Sequence, residues 1–504
     1  MCANNFTSIV KQPTLPSSAS DAGRAFLWNM AGFATRSGSG FAINIMLARL
    51  LGPASYGVIA IASLVISLGL LIADSGLSAS LVQRKEIHDN DVRTAFTAQT
   101  LIGIGLALSI ALSAPLLAHA YSQPILAPVL QVLAFTLVLQ SASQTSAALL
   151  RRRMDFRRIQ KTQVGSYLLS YLGFGIPAAY LGLGVWSLTG AQVLQTTLNL
   201  ALLYHATRHP IAPLLQRDTH MLHFGGRILA TNIVNWVSTY LDSFLLGRAF
   251  GTATLGLYNR AFFLLNTPVT VVVSASQGVL FAATSRTQNQ TDTARQTYLA
   301  TFGGLATVIV PAFMTAAAAA ASLVEATYGQ QWVNAIPFVL PLAIAMPLFA
   351  LMAIAGPILA GLNRPQEELR AQSLAALVAI PALLLAASWS LAALVWVGVF
   401  VHALRFTLMT AAACNVLRVS AGTISRILLR AVLLAGLCAF LPALIEQFWT
   451  APALLKFLLE ILVSGTTWLL LLLMLPNVFT EPETKRYLHR LTRKLPQRFA
   501  RRFA

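Results

Sequence analysis

Charge is what this chain lacks most. Charged residues fill 10% of its 504 positions, and only 16 residues are acidic. A soluble domain carries about a quarter charged residues, so a large water-soluble enzyme is excluded. Cysteine is nearly absent. Cys2, Cys414 and Cys438 are too scattered for a disulfide framework or a cysteine metal site. The dipeptide Gly-Lys never occurs, which removes the phosphate-cradling P-loop and argues against a nucleotide-driven pump. No cofactor motif is found. Residues 1–23 are polar and hold no short apolar core with a cleavage site. No cleaved signal peptide is expected, and the first apolar segment must act as its own insertion signal.

What is present is apolar. Hydrophobic residues make up 56% of the chain, and the mean hydropathy is +0.69. The net charge of +19 would suit nucleic acid, but the basic residues sit in short segments between apolar runs. That placement points to membrane topology and lipid headgroups, with no nucleic-acid partner. Runs of about 20 apolar residues cross a bilayer. They are expected near 25–47, 56–80, 95–118, 125–149, 162–181, 184–204, 224–246, 257–283, 298–323, 335–361, 369–388, 391–412, 427–447 and 453–475. With both termini cytoplasmic, 30 of the 35 Lys and Arg residues fall on the inner side. Only Arg49, Arg248, Arg260 and Lys456 face outward, and Arg36 lies mid-span. One missed span would scramble this alternation, so fourteen spans are predicted.

A loop recurs within this series. Leu47-Ala-Arg-Leu-Leu-Gly-Pro-Ala-Ser-Tyr-Gly57 ends span 1, and Leu246-Gly-Arg-Ala-Phe-Gly-Thr-Ala-Thr-Leu-Gly256 ends span 7. At an offset of 199 residues, Arg248 falls on Arg49, Gly251 on Gly52, Ala253 on Ala54 and Gly256 on Gly57. The pattern predicts two parallel six-helix repeats. The expected organisation is an N-terminal segment (1–24), an N-lobe (25–204), a cytoplasmic linker (205–223) and a C-lobe (224–412). Two extra spans (413–475) and a basic tail (476–504) follow, the tail with helical apolar spacing suited to an anionic membrane surface.

Few residues could carry chemistry. His205, His209, His220 and His223 cluster in the linker, but with Asp218 as the only acidic neighbour no metal site is expected. The outer loops are a few residues long, too meagre for a membrane-embedded transferase or ligase. Intramembrane charge remains, and it costs several kcal/mol unless it has a role or a partner. Arg36, flanked by Ser37-Gly-Ser-Gly40, either faces a wet cavity or is satisfied by carbonyls or an acid on another helix. Arg49, Arg248 and Arg260 lie at outer span ends, as ligand contacts or as arginines reaching the interface. Asp74 and Asp242 are candidates for binding a coupling ion, or for pairing with arginines. Glu325 and Glu460, towards the outer side, are weaker candidates. Pro177, Pro268, Pro311, Pro337, Pro341, Pro347, Pro357 and Pro381 are expected to interrupt helices.

These motifs resemble those of Wzx-type polysaccharide flippases, within the multidrug/oligosaccharidyl-lipid/polysaccharide exporter superfamily, and in look the colanic acid and xanthan subgroup. The resemblance rests on 47–57, Asp74-Ser-Gly-Leu77 with Leu81-Val-Gln-Arg84, Gly184-Val-Trp-Ser-Leu188, Asp242 through Gly256-Leu-Tyr-Asn-Arg260, and Tyr328-Gly-x-Gln-Trp332. It implies an all-α polytopic inner-membrane protein with two six-helix lobes in a V and two further helices. It also implies movement, without enzymatic chemistry, of an undecaprenyl-diphosphate-linked oligosaccharide for exopolysaccharide, O-antigen or capsule synthesis. The cationic cavity it implies would be built here by Arg36, Arg49, Arg248 and Arg260. Implied partners are that cargo, membrane lipids, and polymerase and chain-length or export proteins. A cation-coupled drug exporter and a peptidoglycan-precursor flippase are the alternatives. Reporter fusions after residues 155, 290 and 480 are expected to report cytoplasm, and fusions near 121 and 329 the outer side. A reversal beyond the first half would break the fourteen-span topology.

Overall fold

A computed structural model describes residues 19–74, 78, 81–82, 87–214, 233, 236–237, 239–285 and 291–479. The N-terminal segment up to residue 18, linker residues 215–223 with His220 and His223, and the basic tail from residue 480 lie outside the described residues. Those described are helical throughout, with turns and no strand among them.

In chain order the helices are α1 (Ala19–Leu50), α2 (Pro53–Asp74), α3 (Asp89–Ala120), α4 (Leu126–Arg152), α5 (Phe156–Ser170), α6 (Ile176–Tyr180) and α7 (Val185–Thr207). Residues 239–250 are also helical. Then come α8 (Thr252–Ser285), α9 (Thr291–Ala318), α10 (Ala320–Tyr328), α11 (Ile336–Ala353) and α12 (Ala355–Gly361). The chain closes with α13 (Pro365–Trp389), α14 (Leu391–Leu417), α15 (Ala421–Phe448), α16 (Ala453–Met474) and the short α17 (Pro476–Phe479). Every expected span coincides with one of these, span 7 through residues 239–250. Nine of the described helices are long and apolar enough to cross a membrane. Spans 1 and 5 to 8 fall outside that count. Span 5 is also broken: a π-helical turn, Tyr171–Gly175, separates α5 from α6. The Ile176 N–H reaches back five residues to the Tyr171 carbonyl, just before Pro177, which has no N–H of its own. Large apolar side chains such as Leu112 (81% exposed) and Leu377 (72% exposed) point outward, as a hydrocarbon solvent requires. The chain is an all-helical, multi-pass membrane protein.

The expectation that prolines interrupt helices is only partly met. Pro268, Pro311, Pro341, Pro347 and Pro381 lie inside continuous helices. Pro311 cannot bond the carbonyl of Thr307, and the Trp468 indole N–H of α16 donates to that carbonyl instead, at 2.9 Å. Pro357 frees the carbonyl of Ala353, and the Gln277 amide of α8 donates to it at 2.8 Å. A side chain from another helix replaces the lost backbone bond in both cases.

Contacts divide the chain into Met1–Gly256 and Leu257–Ala504. In the first unit α3 packs on α4, α4 on α7, and α1 and α7 on α5. In the second, α9 packs on α11 and α15, α13 on α14, and α16 on α10 and α15.

The segment after α7 is pinned by His209. Its ring lies 5.3 Å from Phe96 and 5.4 Å from Tyr204. Nδ1 is 3.3 Å from the Pro210 carbonyl, so it carries the proton, and Nε2 accepts from the Ser146 hydroxyl at 3.0 Å. Both nitrogens are used, so this histidine is a latch and offers no metal ligand. Burial lowers its pKa. The neutral form therefore contributes stability above the unfolded value of about 6.5, and that contribution is lost as pH falls. Purified protein should melt lower at pH 5.5 than at pH 7.5, and His209→Asn should shrink the difference. An unchanged difference would rule out the latch as its source.

Candidate functional site

The site is built on one face of α1. Arg36, Gly40 and Asn44 recur every four residues, which stacks them along one side of the helix. On α5, Gln163 and Tyr167 follow the same spacing, with Tyr171 beginning the π-turn. The stripes meet. Arg36 Nη1 donates to Gln163 Oε1 at 3.2 Å, and Asn44 Nδ2 to the Tyr167 hydroxyl at 3.4 Å. A Cβ added at Gly40 would make ordinary contact with that hydroxyl, at 3.5 Å. Tyr167 and Tyr171 pack with ring centroids 4.6 Å apart. Pairing of 36 with 163 and of 44 with 167 runs parallel, as two odd-numbered spans must.

Arg36 is exposed, near the middle of a 32-residue helix. Its partner is an uncharged amide, so its own charge is not neutralised there. Gln163 lies two residues past Lys161, at the polar start of α5; a guanidinium held there without an acidic partner must meet water or an anion, since facing hydrocarbon costs several kcal/mol. An arginine fork, an amide and two tyrosines together form a surface that can bind phosphate oxygens and stack on sugar rings.

The other expected site residues are placed differently. Arg49 is exposed at the end of α1, 13 residues from Arg36, hence about 20 Å along the helix. The two cannot grip one small group together. Arg248, also exposed, acts electrostatically on Tyr121, whose phenol is pushed by burial up to about 12. Arg260, in the second unit, is buried at 8% exposure. Its Nη2 donates to Asn259 Oδ1 at 3.0 Å, and its guanidinium lies 5.0 Å from the Phe263 ring centroid. Tyr328 further donates its hydroxyl to the Arg260 carbonyl at 3.3 Å. Arg260 is thus packed into the protein. Asp242 is half-buried and accepts the Ser243 N–H at 2.6 Å. Asp74 ends α2, and its side chain lies outside the described residues. Sequence reasoning missed Gln163, Tyr167 and Asn44. The signal was the four-residue spacing shared by two polar stripes, one on α1 and one on α5.

The repeated loops face each other in the first unit. A Cβ on Gly57 would sit 1.9 Å from the Thr252 carbonyl oxygen, and one on Gly256 would sit 2.1 Å from the Pro53 carbonyl oxygen. Residues 57 and 256 correspond at the 199-residue offset, as do 53 and 252. The contact is therefore pseudo-two-fold, each copy's glycine against the other copy's backbone. Gly247 continues it, its Cβ position 3.0 to 3.1 Å from Leu255 and Tyr121.

Comparison with known proteins follows this geometry. The family model described as polysaccharide biosynthesis protein matches residues 46–337. Succinoglycan biosynthesis transport protein ExoT of Rhizobium meliloti (strain 1021) is 27% identical over 66% of this chain and 65% of its own length. Lipopolysaccharide biosynthesis protein WzxC of Escherichia coli (strain K12) is 23% identical over 60% of this chain and 62% of its own length. The chain thus matches just under two thirds of the length of these relatives. Among solved structures, the lipid II flippase MurJ in an inward closed conformation superposes with TM-score 0.68 at 11% identity, covering 90% of this chain and 98% of that one. An inward-facing multidrug resistance MATE family transporter gives TM-score 0.57 at 15% identity, over 80% and 95% of the two chains. These two likenesses show the fold.

The glycine contact is testable. Gly57→Ala or Gly256→Ala must push the helix starts apart by roughly 1 Å or more, since backbone cannot yield as a side chain end can; overpacking of this kind costs about 1–3 kcal/mol. Cysteines introduced at Ala54 and Ala253, both exposed, should cross-link readily, and either alanine variant should suppress the cross-link. Gly52→Ala, where a Cβ meets nothing within 4 Å, should not.

Proposed function

Since this chain belongs to the polysaccharide biosynthesis protein family, we propose that it is a flippase. Its cargo is an undecaprenyl-diphosphate-linked oligosaccharide repeat unit, moved across the inner membrane for polysaccharide synthesis. The observation that carries this reading is the exposed Arg36 with Gln163, Tyr167, Tyr171 and Asn44 along the facing stripes of α1 and α5. A diphosphate cannot cross hydrocarbon unaided. Arginine binds its oxygens through paired hydrogen bonds and stays charged when partly desolvated. Tyrosine rings and amides suit the sugars, while the polyprenyl tail stays in lipid. Arg49 and Arg248, at the ends of the repeated loops, meet the same cargo at a different depth. Polymerase and chain-length or export proteins of the pathway are its partners in this reading.

The fold alone does not choose the cargo, because a lipid II flippase and multidrug transporters share it. Charge favours an anion: a site for cationic drugs calls for acids, and this stripe presents an arginine.

The test is on Arg36. Arg36→Ala should cut polymer export at least tenfold, about 1.4 kcal/mol of lost interaction, with protein level and membrane insertion unchanged. Arg36→Lys keeps the charge without the fork and should retain partial function. A structural arginine makes the opposite forecast, lowering abundance when removed. Recovery of export in Arg36→Ala combined with Asp242→Asn would sink the cargo-binding role.

A further inference from the structure

We propose that Glu460 on α16 and Glu446 on α15 form a proton-binding site in the second unit. Glu460 is fully buried, at 0% exposure. One of its carboxyl oxygens is held in a short hydrogen bond with the Ser322 hydroxyl of α10. The other is buried and has no hydrogen-bond partner among the described residues. Glu446 and Glu460 meet at one residue, because Ser322 binds the first through its N–H and the second through its hydroxyl.

The charges do not balance without a proton. Glu446 accepts the Ser322 N–H at 3.1 Å and pairs with the Lys456 ammonium at 3.1 Å. That ammonium also donates to the Glu446 main-chain carbonyl at 2.7 Å, which ties it to Glu446. Two carboxyls thus share one ammonium. With both ionised, Glu460 would be a buried charge facing a second carboxylate and a neutral hydroxyl. One proton on Glu460 removes that charge.

Ser322 makes loading and unloading possible without rebuilding the site. Its hydroxyl has one hydrogen and two acceptors in reach, Glu460 and the Ala319 carbonyl at 3.1 Å. With Glu460 ionised, Ser322 donates to it. With Glu460 protonated, the acid donates to Ser322 Oγ, and the serine turns its hydrogen to Ala319. Both states satisfy the hydroxyl, and only a hydroxyl rotation separates them.

The surrounding elements add little charge. From α15 comes Glu446 and from α10 Ser322, with Glu325 one turn beyond it on the same helix. From α9, Thr315 bonds Ser464 at 2.6 Å, one turn deeper on α16. Lys456 is on α16 itself, and α17 carries no titratable group. A metal ion would have to displace Lys456 from Glu446, whereas a proton needs no such move. Expected topology places Lys456 near the outer end of α16, so the proton would come from outside. Its use in driving transport rests on the flippase reading. Binding of the proton does not.

Infrared difference spectra of the purified full-length protein between about pH 5 and pH 8 should show a protonated-carboxyl C=O band that titrates. Glu460→Gln should abolish it. Glu446→Gln removes a neighbouring negative charge and should move the midpoint to lower pH. Lys456→Met removes the positive charge and should move it to higher pH. These opposite shifts hold the test even if Glu460→Gln folds poorly. A wild type without a titrating band, or a band that survives Glu460→Gln, overturns the site. A midpoint lowered by sodium relative to choline marks a metal-ion site and overturns the proton assignment. No cargo is present, so failure here leaves the transport reading standing, and failure of the Arg36 export test leaves the proton site standing.

Discussion

Every backbone polar group in a bilayer must find its partner inside the protein, and the rest of this structure depends on that constraint. It makes the described residues helical, and it makes each proline a debt to be met elsewhere. Trp468 meets it for Pro311, and Gln277 for Pro357. Both are long-range bonds within the second unit, so one of them also fastens α16 to α9. At Pro177 the chain instead forms a π-turn, where the Ile176 N–H bonds the Tyr171 carbonyl. The same economy shapes the hydroxyls. Thr307, Thr315, Thr189 and Thr327 all donate to carbonyls four residues back along their own helices, so a polar residue can sit in an apolar span without an orphaned hydrogen.

Against that background the residues that break the rule stand out. Arg36 is exposed, and its amide partner leaves its charge in place. Glu460 is buried, with one oxygen lacking a partner among the described residues. One charge asks for an anion from outside the protein, and the other asks for a proton. Arg260 differs from both because its guanidinium is engaged by an aromatic ring and a neighbouring amide. Four arginines that look alike in the sequence therefore divide into an exposed mid-helix cation, two at loop ends and one packed within the protein.

The repeated loops show how duplication becomes geometry. Two glycines related by the repeat each let the partner copy's backbone come closer than any side chain would allow. Nothing in either loop alone requires a glycine at that position. The requirement arises only because the copies meet.

Apolar run lengths were enough to predict where the helices lie, because a bilayer imposes one length on every crossing segment. The repeated loop and the position of Arg36 within an apolar span were also legible, since both are visible in one dimension. Gln163, Tyr167 and Asn44 were not, because a polar residue in a helix becomes a site only when another helix brings its complement. The fate of the prolines, the latch at His209 and the pairing of Glu446 with Glu460 were settled only by packing. Each depends on two or more residues dozens to well over a hundred positions apart, or on the 14 that separate the two glutamates across a hairpin, and sequence spacing carries no record of which helices will touch.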